Sequence, residues 1–528
     1  MLQEEEKWLP HLIGVIPQRG YPNRLSAFVV ALEGWRRGLD LEFFREDGQK
    51  LLIKYKLSSE NKQVIFRSST GDYVPQEAIK ICENKELTKK YLLRNNVPIP
   101  EGKMFDDNDD ETDILKYAEK IGFPVVLKPV EGSGGKGVFA NLKDRDSLKE
   151  ALHHLRNVLG YSQYILERYI VGDEYRIVVL NGEVIGAINR VPANVVGDGV
   201  STIRELVKKK NDERKKNPHL QGRMITINQE VINHLYANHY SLETIPKKGE
   251  VVTLRLNSNI STGGDSIDVT DKLYPDVKKA AIDATNSIPG LVMSGIDMIV
   301  NHETKKGVVI EVNTRPGLGG HIFPIKGKPR DLPKKIIDYY FPETVGNERS
   351  LFYFDLNPIL EPLRDRSAER VKVSRLPVGY HYSKKYIIKG DFDIRKYRSW
   401  IKKRALELGM HGYTDQLDEN TVEAVLVSTD ERFLQQLKDE FSNGPSNTNV
   451  KIDSIEEYVW NLPVKIGFET KDNKISIREA REIEKNNKKL QREYERLVKK
   501  YSEIQNSRSW KITSPIRWIS WKIKSLLR

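Results

Sequence analysis

The chain has 528 residues, 38% of them apolar and 30% charged, with a formal net charge of +12 and one cysteine, Cys82. That length calls for several cores rather than one. A lone cysteine excludes an internal disulfide framework and fits a reducing compartment, so the expected location is cytoplasmic. The first seven residues are acidic and lack an apolar core segment, which is not the pattern of a secretory signal. No run of about twenty apolar residues is present, so no spanning helix is expected.

The charge is unevenly placed. From Asn473 onward there are sixteen Lys/Arg against six Glu, a surplus of ten, which leaves +2 of the +12 for everything before it. A nucleic-acid enzyme carries its basic stripe on folded domains, so no nucleic-acid partner is expected.

In chain order, residues 1–80 read as a small α/β region. Leu12–Ile16 is apolar, Gly20–Arg24 is turn-like, and Leu25 to Gly38 has helical periodicity ending in glycine. Strand-like segments follow at Leu51–Tyr55 and Val64–Arg67, then a helix at Glu83–Arg94. Val125–Val138 reads as a buried strand ending in Lys128 and then a loop with four glycines in six residues, Gly132 to Gly137. Such a loop can turn its N–H groups toward a phosphate at a range that a Cβ would forbid. A hairpin is predicted at Glu174–Ile188, with Asn181-Gly182 at its turn. Farther on, Asp297, Glu311 and Asn313 put two acids and an amide on neighbouring strands, an oxygen set suited to hard divalent cations. Together these segments describe a nucleoside triphosphate held by lysines, loop amides and Mg²⁺.

Residues 344–375, with Pro358, Pro362 and mixed charge, read as a linker. Residues 376–470 read β-α-β-β-α-β. Residues 473–506 carry a heptad seam, Ala480, Asn487, Tyr494 and Tyr501 with Ile483, Leu490, Leu497 and Ile504, as in a dimeric coiled coil. Residues 507–528 are a basic amphipathic tail. It has six basic residues and no acid from Arg508 onward, with Trp510, Trp518 and Trp521, a composition suited to the inner face of an anionic membrane. A partner-docking helix is the other reading of this tail.

Three ordered blocks, Asn194–Leu206, Asn257–Asp268 and Glu311-Val312-Asn313, carry a family resemblance. Residues 81–343 resemble an ATP-grasp ligase of the branch shared by cyanophycin synthetase and the ligase half of bifunctional glutathione synthetase. The resemblance implies Lys89 and Lys128 on the nucleotide phosphates, and Glu167, Arg168, Tyr169 and Ile170 around the adenine. It implies Glu174 on the ribose, Ser133, Gly134, Gly135, Lys136 and Gly137 as the flap over the γ-phosphate, and Asp297, Glu311 and Asn313 as ligands to Mg²⁺, with Mn²⁺ as a substitute. Arg255 and Arg315 become candidates for charge stabilisation, while His321 is open between substrate contact and structural hydrogen bonding. The implied activity is amide-bond formation on an amino acid or peptide through an acyl phosphate.

Residues 376–470 resemble acylphosphatase, a ferredoxin-like fold. Its catalytic arginine falls on Arg398 and its water-orienting amide on Gln416, but Ile394 and Lys396 replace loop glycines. The expected fold class is therefore α/β and α+β multidomain, an ATP-grasp fold, an acylphosphatase-like domain and a helical tail. A run near Ser507–Arg517 is similar to tails of bacterial glycosyltransferases of surface polysaccharide synthesis, which points toward cell-envelope polymers. Two other classes stay open: an acylphosphatase-type hydrolase, and a non-catalytic nucleotide-binding scaffold at the membrane.

Overall fold

A computed structural model describes residues 7–17, 21, 23–46, 52–130, 137–445 and 450–471. The described residues divide into two compact units, those up to 381 with 461–466, and those of 382–460 with 467–471.

The first unit is built on three larger sheets, with two more of two strands each. The N-terminal one orders its strands as Arg370–Lys372, Asp40–Glu46, Leu52–Ser58, Gln63–Arg67 and Thr70–Gly71. Its presence corrects the expected linker. Residues 344–375 contain the helix Leu356–Arg364 and the strand Arg370–Lys372, which pairs antiparallel with Asp40–Glu46. Pro362 lies inside that helix, and Leu356, Leu360 and Leu363 are buried on its one apolar face. Prolines and mixed charge thus mark a short amphipathic helix here rather than a free segment.

The helix Leu25–Arg36 buries almost its whole length, charged residues included. Glu33, 2% exposed, accepts from Arg37 Nη2 at 2.6 Å and from Arg349 Nε at 2.7 Å. Arg37 also reaches Asp338 at 2.6 Å, and Arg349 reaches Asp331 at 2.6 Å. One buried carboxylate therefore ties this helix to the Leu332–Tyr340 helix and to the chain after it.

The second sheet orders Gly102–Asp106, Gln163–Arg168, Val125–Pro129 and Phe139–Leu142. Helices Glu111–Ile121 and Arg145–His153 cover it, burying Ile114, Leu115, Leu148 and Leu152. The third orders Asp265–Asp268, Glu183–Val191, Asp173–Leu180, Met293–Asn301 and Lys306–Asn313. Met293–Asn301 is buried nearly throughout, as a central strand must be. The helix Pro275–Asn286, with proline in its first turn, lays Val277, Ala281 and Ala284 on this sheet. Asn181 and Gly182 both have positive φ at the predicted hairpin turn. A smaller core of Val195, Ile203, Leu206, Val231 and Val252 holds the excursion around residues 193–254.

In the second unit the chain runs Tyr382–Asp391, Ile394–Glu407, His411–Gln416, Thr421–Ser428, Glu431–Glu440 and Lys451–Val459, the β-α-β-β-α-β order read from the sequence. Phe468–Lys471 adds a fifth strand parallel to His411–Gln416. The coiled-coil and tail readings of residues 473–528 lie outside the described residues.

Replacing Glu33 by Gln leaves Arg37 and Arg349 each short of a buried counter-charge. A loss of about 3 kcal/mol in unfolding free energy is expected in denaturant titration, against less than about 1 kcal/mol for an exposed pair such as Lys116–Asp113.

Candidate functional site

A cleft between the second and third sheets is lined by Cys82, Lys85, Lys89, Lys128, Glu167 and Glu311, among others. Lys89 stands on the helix Lys85–Arg94, whose first turn is fixed by Asn84 accepting from the Leu87 N–H at 2.9 Å. Lys128 and Glu167 come from antiparallel neighbours in which Val126 faces Glu167. Lys89 Nζ donates to Glu167 Oε2 at 3.1 Å, and Lys128 donates to the other oxygen of the same carboxylate. Burial works to raise the Glu167 carboxyl, but the two ammoniums outweigh it and hold it below its ordinary range. Cys82 stays a thiol, pushed up to about 12 by burial and by Glu83, so it is not a nucleophile at neutral pH.

On the third sheet, register makes a charged row. Arg176 faces Asp297, and Asp297 faces Glu311, on three adjacent strands. Arg176 grips Asp297 at both oxygens, Nη2 to Oδ2 at 2.7 Å, and Arg190 Nη1 adds 3.3 Å to Oδ2. A second row sets Arg190 opposite Glu174, joined at 2.9 Å, with Ser258 Oγ also donating to Glu174. Burial again opposes the Asp297 charge, and Arg176 and Arg190 outweigh it to lower that carboxyl. Glu311 goes the other way: burial first, and then Asp297, raise it above its ordinary value. Asn313 Nδ2 is buried without a hydrogen-bond partner among the described residues.

The structure thus brings together Lys89, Lys128 and Glu167, and it places Glu174, Asp297 and Glu311 on the facing sheet. Tyr169 lends its N–H to Pro124 at 3.0 Å, and Arg168 turns away to the Ile121 carbonyl and Glu101. Ile170 follows in the loop before Asp173. Gly137, at φ +73°, closes the glycine loop, while Ser133, Gly134, Gly135 and Lys136 lie outside the described residues. Arg255 spends its guanidinium on Glu230, Thr226 and Asn228, and Arg315 reaches Glu83 at 3.3 Å. Neither arginine donates to the Asp297 group.

Sequence reasoning missed Lys85, Arg176 and Arg190. Lys85 Nζ donates to the Val130 carbonyl at 3.1 Å, at the root of the glycine loop. Arg176 lies two residues beyond Glu174 on one strand, so the period of two was available as a signal.

Parts of the recognised blocks prove to be scaffold. Asp198 accepts from the Val200 and Ser201 N–H groups, and Thr202 with Glu205 forms a capping box for the helix Ile203–Lys216. Asp265 holds that helix to the sheet through Arg214 at 2.8 Å and Lys210 at 2.5 Å.

In the second unit, the expected catalytic arrangement is corrected. The helix starts at Ile394, with Asp393 capping the Lys396 N–H at 3.1 Å, so the stretch expected to form a phosphate loop is helical as far as Arg398. Arg398 is buried and donates to the carbonyls of Thr414, at 3.2 Å, and Lys471. Gln416 Nε2 donates to the Asp418 carbonyl at 3.0 Å.

A family model described as a RimK-like ATP-grasp domain matches residues 82–201, and one described as an ATP-grasp domain matches residues 191–318. The chain carries an ATP-grasp domain. Beyond it, residues 384–470 match acylphosphatase. The chain is similar to the glutathione biosynthesis bifunctional protein GshAB of Clostridium perfringens, 32% identical over 61% of this chain and 42% of that protein. It is also similar to cyanophycin synthetase of Geminocystis herdmanii, 33% identical over 55% of this chain and 33% of that protein. Among solved structures, a bifunctional glutathione synthetase from Pasteurella multocida matches at 30% identity and TM-score 0.43, over 55% of this chain and 40% of that one. The chain spans less than half the length of these relatives. The ATP-grasp domain accounts for both charged rows, and the acylphosphatase domain for Arg398 and Gln416.

Two outcomes follow from the charges. Glu311 has its folded pKa above its unfolded one, so its ionisation destabilises the fold as pH rises past the ordinary carboxylate range. Glu311→Gln should therefore melt higher than wild type at pH 7 without added divalent cation, the gap narrowing as pH falls toward 4 to 5. Because Arg398 donates inward, the full-length chain and Arg398→Ala should hydrolyse a simple acyl phosphate at equal rates.

Proposed function

We propose that this chain is an ATP- and Mg²⁺-dependent carboxylate–amine ligase acting on an amino acid or peptide. The observation that carries the reading is a cleft in which two lysines on one buried acid, Glu167, share the lining with Glu311, the cross-strand neighbour of Asp297.

Asp297, Glu311 and Asn313 would hold the cation. The fit rests on Glu311, whose charge burial and Asp297 disfavour and a dication would favour, and on the orphaned amide of Asn313. Bound there, Mg²⁺ supplies neutralisation of phosphate charge, and Mn²⁺ meets the same ligand set.

Lys89 and Lys128, both paired with Glu167, bind phosphate oxygens as point charges. Glu167 keeps lone pairs free for a base amino group, and Glu174, anchored by Arg190 and Ser258, is placed for ribose hydroxyls. A carboxylate oxygen of the substrate attacks the γ-phosphorus, the bond to the β-γ bridging oxygen breaks, and ADP leaves. The amine then attacks the acyl-phosphate carbonyl, loses a proton and expels phosphate. No protein nucleophile is needed, which agrees with a protonated Cys82. Arg176 and Arg190 fix the Asp297 carboxylate in one orientation before the reaction begins, so little reorganisation is left for the transition state.

The acylphosphatase domain enters this reading as a binding or packing module, on the evidence of inward-facing Arg398. The basic, tryptophan-containing composition of residues 507–528 supports contact with an anionic membrane surface, and the heptad seam of residues 473–506 supports a dimer, both in keeping with work on envelope polymers. Among the described residues no helix is long and apolar enough to cross a membrane.

The test is ADP release measured across the twenty amino acids, singly and in pairs, with Mg²⁺ and ATP. Release that needs an amine as well as a carboxylate is expected, and Lys128→Met should lower kcat by about 10²- to 10³-fold. ADP release indifferent to every amino acid and dipeptide would reject the ligase.

A further inference from the structure

Around Arg190, whose Nη1 serves Glu174 and Asp297, lies a group of buried polar atoms whose hydrogen bonds the mechanism does not use. Arg190 Nε, His219 Nδ1, Ser266 Oγ and both ring nitrogens of His321 have no hydrogen-bond partner among the described residues. His321 and Ser266 are fully buried. Buried polar atoms are almost always partnered, and each orphan costs about 1–3 kcal/mol, so several in one place mark a site built for something that completes them.

They do share one place. Ser266 faces Arg190 directly across neighbouring strands. A Cβ built on Gly319 would stand 2.2 Å from His219 Nδ1, one on Gly320 3.4 Å from Ser266 Oγ, and one on Gly186 3.1 Å from His321 Nδ1. Gly319 and Gly186 therefore bring backbone up to His219 and His321 where a side chain would crowd them, and Gly320 lies in contact range of Ser266. The Gly319-Gly320-His321 turn has its own frame, with the His321 N–H bonded to Leu318 at 3.0 Å and its carbonyl accepting from Arg330 at 2.9 Å.

Chemistry selects the ligand. Burial, and then Arg176 and Arg190, bring His321 down to about 3, and burial with Arg223 keeps His219 well below its ordinary value. Both rings are neutral at pH 7, each offering one N–H. With Arg190 Nε and the Ser266 hydroxyl they form a donor-rich set that carries little net charge, since Glu174 and Asp297 already offset the two arginines. Such a set suits a monoanion with two acceptor oxygens and disfavours a phosphate dianion.

We propose that His321, His219, Ser266 and Arg190 form a subsite for a non-reacting carboxylate of an amino-acid or peptide substrate. This deepens the ligase reading and rests on it only for the statement that the carboxylate belongs to a substrate. The carboxylate can come from the acyl donor or from the amine, and His321, left open by the sequence, becomes a binding residue.

The test needs no turnover. Melting of the full-length protein is followed with each of the twenty amino acids and, in parallel, its α-carboxamide, in wild type, Ser266→Ala and His321→Gln. At least one free carboxylate should raise the melting temperature while its carboxamide does not. Both variants should weaken that response about tenfold or more in apparent Kd while keeping the wild-type shift with ATP and Mg²⁺. The subsite is wrong if no amino acid stabilises the protein, if carboxamides serve equally well, or if the response survives in both variants. Amino-acid-dependent ADP release with an unchanged response in the variants would leave the ligase standing and remove the subsite. A carboxylate response lost in the variants without any ADP release would do the reverse. Running the responsive amino acid as donor or as amine in the ADP assay assigns its source.

Discussion

The function of this molecule depends on strand register in one antiparallel sheet. Across it run two rows, Arg176–Asp297–Glu311 and Ser266–Arg190–Glu174, each made of residues that face one another on neighbouring strands. A slip of one residue on any strand would turn its contribution to the opposite face and dissolve the row. What pins the register is apolar: Ile177, Val179, Ile296 and Met298 belong to the core beneath the Pro275–Asn286 helix, and they alternate with the charged positions. Burial of one face of the sheet thus places the chemistry on the other.

The same placement carries a tension between stability and function. Asp297 is satisfied by two arginines, and Glu167 by two lysines, so both remain charged inside the protein. For Glu311, burial and the neighbouring Asp297 outweigh Arg176, Lys85 and Lys128, an arrangement that a cation would relieve. Other buried carboxylates among the described residues are paired, as where Glu33 meets Arg37 and Arg349, and Asp265 meets Lys210 and Arg214. The contrast separates carboxylates fully paired within the fold from one whose charge its surroundings disfavour.

The sequence revealed groups whose chemistry is local. Lys128 ends a buried strand before a glycine loop, and the Asn181-Gly182 turn announces its hairpin, so both were legible. Arg190 was not, because the hairpin contains an irregularity between Val184 and Gly186 that shifts the register by one. Counting back from the turn would have set Glu174 opposite Asn189, and Gly186, a glycine inside a strand, was the one signal of the extra step. Arg370–Lys372 was invisible for another reason. A three-residue edge strand has too little alternation to read, and its partner Asp40–Glu46 lies over three hundred residues earlier. Arg398 shows the limit of resemblance. The residue aligned with a catalytic arginine is present, but the helix begins early and carries its guanidinium inward.

The central claim is that the Asp297–Glu311 row and the two lysines grip one magnesium–nucleotide. Isothermal titration of a non-hydrolysable ATP analogue into the full-length chain, with and without Mg²⁺, tests it most directly when repeated on Asp297→Asn. One molecule bound per chain is predicted, with an affinity gain from Mg²⁺ that the variant loses by about tenfold or more while its metal-free binding stays as in wild type. Equal magnesium-dependent binding by wild type and variant, or no binding by wild type with magnesium present, would contradict it.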